Sequence, residues 1–225
     1  MNNTFLYLDL FLFVIPLLLA FDRNAKVLSN LKAMLISSLL VMLVFSEVAV
    51  FLTGVKTWNF NATYIIGVDY RGLPLEAYLF LFTFSFAGLG IYKYLNVRFP
   101  KNELQKYALA VSHALMGVCI AMLFFAYTKW FPLITFAFLM MLLIGVEYIN
   151  TLRFMYKFYR AYVFALIPFF VCYGVICSFQ IITYDTKETL DFSLTNIPFE
   201  NYFLMMGTLL LGVYFMEVLN RKFAK

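Results

Sequence analysis

Apolar runs alternate with short charged clusters along the whole chain. A helix needs about 20 mostly apolar residues to cross roughly 30 Å of hydrocarbon. The runs predict helices at Phe5 to Phe21, Ala33 to Thr53, Leu75 to Tyr92, Tyr107 to Tyr127, Phe131 to Ile149, Ala161 to Ile182 and Tyr202 to Leu219. The expected fold is therefore all-α and integral to a membrane, with seven transmembrane helices. The first run lacks a basic leader and a small-residue cleavage site, so it reads as a retained helix. Two connecting segments, Gly54 to Pro74 and Thr183 to Pro198, are longer than the rest, and each feeds a helix through a proline. Proline suits a first helical turn, where its missing N–H costs nothing.

Charge settles the topology. Of the seventeen Lys and Arg, thirteen follow the first, third, fifth and seventh helices; only Lys56, Arg71, Lys129 and Lys187 lie on the other side. The positive-inside rule then places the N-terminus outside and the C-terminus in the cytoplasm, as in a bacterial inner membrane. The composition is 64% hydrophobic and 13% charged, and a soluble domain carries roughly 25% charged residues. The net charge of +5 is a topology signal, with no nucleic-acid partner implied. Cys119, Cys172 and Cys177 lie in apolar runs without metal-site spacing, as buried thiols.

The chain also repeats itself. Sliding it so that Leu73 falls on Ile197 aligns Pro74 with Pro198, Glu76 with Glu200 and Tyr78 with Tyr202; further on, Gly88 meets Gly212 and Asn96 meets Asn220. An even number of crossings separates the two helices, so the repeat is parallel, with a pseudo-two-fold axis along the membrane normal. The expected units are 1–100 and 129–225, three helices each, joined by a linking helix within 101–128. Glu76 and Glu200 would then flank one central cavity.

Ionisable residues in spans are costly and count as functional candidates: Asp9, Glu47, Glu76, His113, Glu147, Glu200 and Glu217. An acid in a helix's first turn also complements the macrodipole for about 0.3 to 1 kcal/mol, so Glu76 and Glu200 each have a structural reading; their duplication favours a functional one. Glu47, deep in the second helix, needs a polar partner or a proton. Glu147 and Glu217, near helix ends, suit snorkelling to the interface. His113 suits either proton transfer or a single satisfying hydrogen bond.

The two Pro-x-Glu helices, the Trp58-x-Phe60-Asn61 stretch and the run from Phe158 through Tyr162 to Ile167, Pro168 and Phe169 resemble the flavin-independent lycopene cyclase domain family. In that family two homologous units of about three helices act together, as separate subunits or fused, and this chain resembles the fused form. The resemblance implies a redox-neutral isomerisation: an end group of lycopene is protonated, closes to a carbocation and loses a proton to leave a β-ionone ring. It implies no cofactor and no metal, a carotenoid dissolved in the lipid bilayer as substrate, and other carotenoid enzymes or a second copy as partners. Such chemistry needs a proton donor and a base, which points to Glu76 and Glu200, with Glu47 as a further candidate. Pro74, Tyr78, Phe80, Pro198, Tyr202 and Phe203 would line the substrate, their aromatic faces steadying the cation by about 0.5 to 2 kcal/mol each.

The chain departs from the family at the residue after each motif glutamate, usually a second acid and here Ala77 and Asn201. It departs again at Lys93, whose repeat partner is Glu217. One glutamate per repeat suffices for a donor and an acceptor, while β, γ and ε rings differ only in which proton leaves. A noncatalytic carotenoid-binding or assembly protein is the alternative. A transporter with parallel repeats would show matched helix breaks, and Pro16 and Pro168 do not correspond.

Overall fold

The computed structural model describes residues 3–101, 105–149 and 153–223. Among the described residues seven α-helices carry the fold: α1 Thr4–Leu19, α2 Leu31–Gly54, α3 Leu75–Arg98, α4 Gln105–Phe125, α5 Trp130–Ile144, α6 Met155–Ser178 and α7 Phe199–Phe223. Six of these segments are long and apolar enough to cross a membrane. The exception is α1, whose 16 residues span about 24 Å at 1.5 Å per residue. Large apolar side chains such as Leu10, Phe124, Phe125, Val163 and Ile167 stand exposed, as suits helices whose solvent is lipid. Cys119 and Cys172 are buried free thiols and Cys177 is a partly buried one.

The connecting segments are not plain loops. Strands β1 Trp58–Phe60, β2 Asp69–Tyr70 and β3 Leu73–Pro74 precede α3, and β4 Ile182–Tyr184, β5 Ser193–Leu194 and β6 Ile197–Pro198 precede α7. Hairpin β2–β3 pairs Asp69 with Pro74 and Tyr70 with Leu73; hairpin β5–β6 pairs Ser193 with Pro198 and Leu194 with Ile197. These are the same pairings, moved by the 124 residues that separate Asn59 from Thr183. Left-handed backbone recurs at the same spacing: Lys56 and Gln180, Gly67 and Asp191, Arg71 and Thr195, Gly72 and Asn196 all have positive φ. In the second unit non-glycine residues accept a conformation for which Gly67 and Gly72 suit the first.

The two units meet around a pseudo-two-fold axis. Antiparallel pairing of β1 with β4 joins Trp58 to Tyr184, Asn59 to Thr183 and Phe60 to Ile182. Since Asn59 and Thr183 are repeat equivalents, the ribbon is self-complementary and the axis passes at their pair. Lower down, α3 and α7 cross on small residues: a Cβ on Gly88 would stand 2.5 Å from Leu209 Cδ1, and one on Gly212 would stand 2.9 Å from Ser85 Oγ. Ser85 and Leu209 are again equivalents. Away from the ribbon, Arg160 of α6 donates to Leu95 O, Phe99 O and Asn96 Oδ1, and Asn30 Nδ2 donates to Asn220 Oδ1 at 2.7 Å.

Three expectations need correction. Pro74 is the cap residue before α3, with ψ 147°, and Pro198 closes β6, so both prolines end strands and neither sits in a helical turn. The sixth helix starts at Met155 and stops at Ser178, not at Ala161 and Ile182; Lys157 and Arg160 lie inside it, because Arg160 finds the free carbonyls at the end of α3. Glu147 and Glu217 do not simply snorkel: Ser112 Oγ donates to Glu147 Oε1, and Tyr92 OH donates to Glu217 Oε1 at 2.7 Å.

Candidate functional site

Each motif glutamate occupies the second position of its helix, next to the ribbon, and is 0% exposed. Free N–H groups and the positive end of the dipole favour an acid there. The side chain nevertheless reaches back into the preceding segment. Ile66 N–H donates to Glu76 Oε1 at 2.5 Å, and Leu190 N–H donates to Glu200 Oε1 at 2.6 Å. The second oxygens, Glu76 Oε2 and Glu200 Oε2, are buried without a hydrogen-bond partner among the described residues. Two residues on, Tyr78 OH donates to Tyr70 O and Tyr202 OH donates to Leu194 O, both at 3.0 Å. The Pro-x-Glu-x-Tyr repeat therefore has a physical meaning: proline closes a hairpin, glutamate ties down an amide ten residues upstream, and tyrosine pins the turn.

An apolar cavity of about 50 Å³ lies between the units, lined by residues that include Trp58, Phe60, Ala77, Phe80, Tyr173 and Tyr184. It straddles the pseudo-axis, since Ala49 and Tyr173, Phe60 and Tyr184, and Leu81 and Met205 enter it as equivalent pairs. Neither Glu76 nor Glu200 lines it. The positions after them point this way instead: Ala77 is on the wall, and Asn201 Nδ2 donates to the wall residue Tyr184 OH at 2.9 Å. Burial holds the Tyr184 phenol well above the ordinary tyrosine range, so this hydroxyl is neutral. Rings pack closely around the cavity, with Phe80 and Tyr173 centroids 5.7 Å apart and Trp58 and Phe131 5.3 Å apart.

The two acids sit in different surroundings. Glu200 lines a separate recess of about 130 Å³ together with Tyr184, Thr189, Asp191 and Ser193. Lys129 Nζ donates to the carbonyls of Thr186 and Thr189 beside it. On the side of Glu76, the neighbouring ionisable group is another acid, Asp9 of α1. The sequence offered Asp9 as a functional candidate because it is an ionisable residue inside an apolar run; its burial against α3 comes from the packing.

Other candidates scatter. Glu47 does not join the buried pair: its side chain is 62% exposed and carries a 2.6 Å salt bridge to Arg71, which supplies the polar partner its place in α2 demanded. That pair raises the Arg71 guanidinium above its ordinary value through the hydrogen bond. Pro74 is buried at the head of α3, whereas Pro198 is half-buried and lines the recess of Glu200. Phe203 packs on Phe136 and Phe199, with centroids 4.9 Å from each, away from the central cavity. Tyr202 packs on Phe169 with the rings tilted, centroids 4.9 Å apart. His113 Nε2 lies 2.6 Å from Tyr148 OH at the lipid-facing surface. Among the described residues no three His, Cys, Asp or Glu side chains gather as a metal-binding group.

A family model described as lycopene cyclase matches residues 2–95 and 128–219. The two matches cover the repeated units, α1 to α3 and α5 to α7 save the last residues of α3 and α7, and leave out the whole of α4. No curated protein matches the chain, and no solved structure does.

Proposed function

This chain belongs to the lycopene cyclase family, and from that premise we propose that it cyclises end groups of lycopene to β-ionone rings, with Glu76 and Glu200 as proton donor and acceptor. The family places it among membrane carotenoid cyclases; the ring type and the two roles are our reading. The observation that carries it is the orphan oxygen. Each glutamate has one oxygen fixed by a loop amide and the other buried without a partner. A carboxyl held in this way is oriented, dry and free to exchange a proton.

The step balances without an oxidant. A carboxylic acid gives its proton to an end-group double bond, whose π pair forms the new C–H bond. The π pair of a second double bond closes the C–C ring and leaves a carbocation. A neighbouring C–H then loses its proton to a carboxylate, and its electron pair becomes the ring double bond. Aromatic faces such as Trp58, Phe80 and Tyr173 suit the cation, at about 0.5 to 2 kcal/mol for each face. Loss of a different proton would give a γ or ε ring.

The protein is expressed in a lycopene-accumulating bacterium beside Glu76→Gln and Glu200→Gln, and the extracted pigments are separated by chromatography. Glutamine keeps an oxygen to accept the loop amide but transfers no proton, so each variant should lose product roughly 100-fold or more at unchanged membrane level. One observation favours a second reading, a noncatalytic carotenoid-binding protein: the central cavity is walled by Ala77 and by Tyr184, which Asn201 holds, without a carboxylate. Unchanged lycopene with the wild-type protein in the membrane would support that reading.

A further inference from the structure

A third buried acid remains unused by this scheme. Asp9 is 3% exposed, and neither of its carboxyl oxygens has a hydrogen-bond partner among the described residues. It lines an apolar groove of about 370 Å³ between α1 and α3, with Leu6, Leu10, Phe13, Leu79, Phe82 and Thr83 among its neighbours. The rim faces lipid, where Tyr7 and Leu10 stand exposed. Helices α1 and α3 run side by side in the same direction: Phe5 meets Phe80, Phe13 meets Phe86, and Pro16 sits against Gly90. Asp9 therefore lies level with Thr83, on the same face of α3 as Glu76, and about 10 Å deeper at 1.5 Å per residue.

The second unit has no such acid. Phe5 N–H donates to Tyr64 O, and Phe131 N–H donates to Glu188 O, at the same 3.3 Å; Tyr64 and Glu188 are repeat equivalents, so Phe5 corresponds to Phe131. Four residues on from each stand Asp9 and Thr135, both buried and both unpartnered. The repeat keeps an orphan polar side chain here, but only the first unit makes it a carboxyl.

We infer that Asp9 is a further acid of the reaction, presenting its proton to a polyene end group that enters the α1–α3 groove sideways from the bilayer. The occupant follows from the chemistry of the walls, which are mostly apolar, suit a linear hydrocarbon and carry Asp9 as their one carboxyl. An ionised carboxylate without a partner is expensive in such a place, and the neutral acid is the form that is tolerated. Asp9 O–H is a further proton source on the side of Glu76, deeper than that glutamate, and acts beside Glu76 and Glu200 without replacing either. The occupant rests on the cyclase reading; the accessible neutral acid does not.

Two measurements separate these. Dicyclohexylcarbodiimide, an apolar reagent that adds carboxylic acids across its C=N bond, is applied to the protein in lipid vesicles, and labelled peptides are located by mass spectrometry. Asp9 should be modified, and lycopene in the vesicle should protect it. No modification of Asp9, or modification that lycopene leaves unchanged, overturns the proposal. In the pigment assay Asp9→Asn should lower product roughly 100-fold at equal membrane level, Asp9→Glu should restore part of it, and Thr135→Val should leave it unchanged. Full product from Asp9→Asn overturns the acid role. If the wild type itself yields no ring, the cyclase reading fails, and labelling with protection still decides whether the groove takes a polyene.

Discussion

At Glu76 and Glu200 one side chain answers two demands, and substitutions separate them. Alanine leaves Ile66 N–H or Leu190 N–H unpaired in a buried place, at a cost of about 1–3 kcal/mol, whereas glutamine retains an acceptor. Thermal unfolding in detergent should therefore show Glu76→Ala and Glu200→Ala destabilised well beyond the glutamine variants, while both kinds lose product. Equal stability of the two kinds would mean that the loop amides do not depend on these oxygens. Tyr78→Phe and Tyr202→Phe each remove one hydroxyl from a turn carbonyl, a change of about 0.5–1.5 kcal/mol. Tyr202 OH also lies 3.2 Å from Thr195 Oγ1, a contact that Tyr78 does not match among the described residues, so Tyr202→Phe should lose as much stability as Tyr78→Phe or more.

Between elements, close packing sets the limits. Helix α1 approaches α3 at Gly90, where a Cβ would stand 2.8 Å from Pro16 Cβ and 3.2 Å from Pro16 Cα. A proline ring has no rotamer by which to withdraw. Gly90→Ala should therefore push the two helices apart and destabilise by about 1–3 kcal/mol, measured as a lower unfolding midpoint, and it should also widen the groove beside Asp9. Gly117 faces open space, so Gly117→Ala is the control that should show no loss. The helices themselves were legible because hydrocarbon demands long apolar runs. Their ends were less so: α6 gains its first turns because Arg160 reaches α3, an attraction that no local pattern carries.

Taken whole, the molecule is two similar units that share a ribbon and a helix crossing. Cutting between Pro100 and Lys101 and co-expressing fragments 1–100 and 101–225 should give fragments that co-purify, because β1–β4 pairing and the crossing of α3 and α7 need no covalent link. Recovery of either fragment alone from the membrane would count against that assembly. The distribution of Lys and Arg predicts a cytoplasmic C-terminus: a reporter active only in the cytoplasm should work when fused after Lys225, and one active only outside should not.

Sequence alone determined what depends on composition and period: a membrane solvent, apolar helices, the repeat of Pro74, Glu76 and Tyr78 at Pro198, Glu200 and Tyr202, and the family it resembles. These are local properties, written in consecutive residues. Tertiary structure decided what depends on neighbours distant in the chain. It tied each glutamate to an amide in its connecting segment, joined two apparent loops into one self-complementary ribbon, and paired Glu47 with Arg71 at the surface. It also pressed Asp9, one charge in an apolar run, against α3 with neither oxygen satisfied. Whether a polar group is paired, lipid-facing or stranded is a property of its surroundings, and those exist only once the helices have packed.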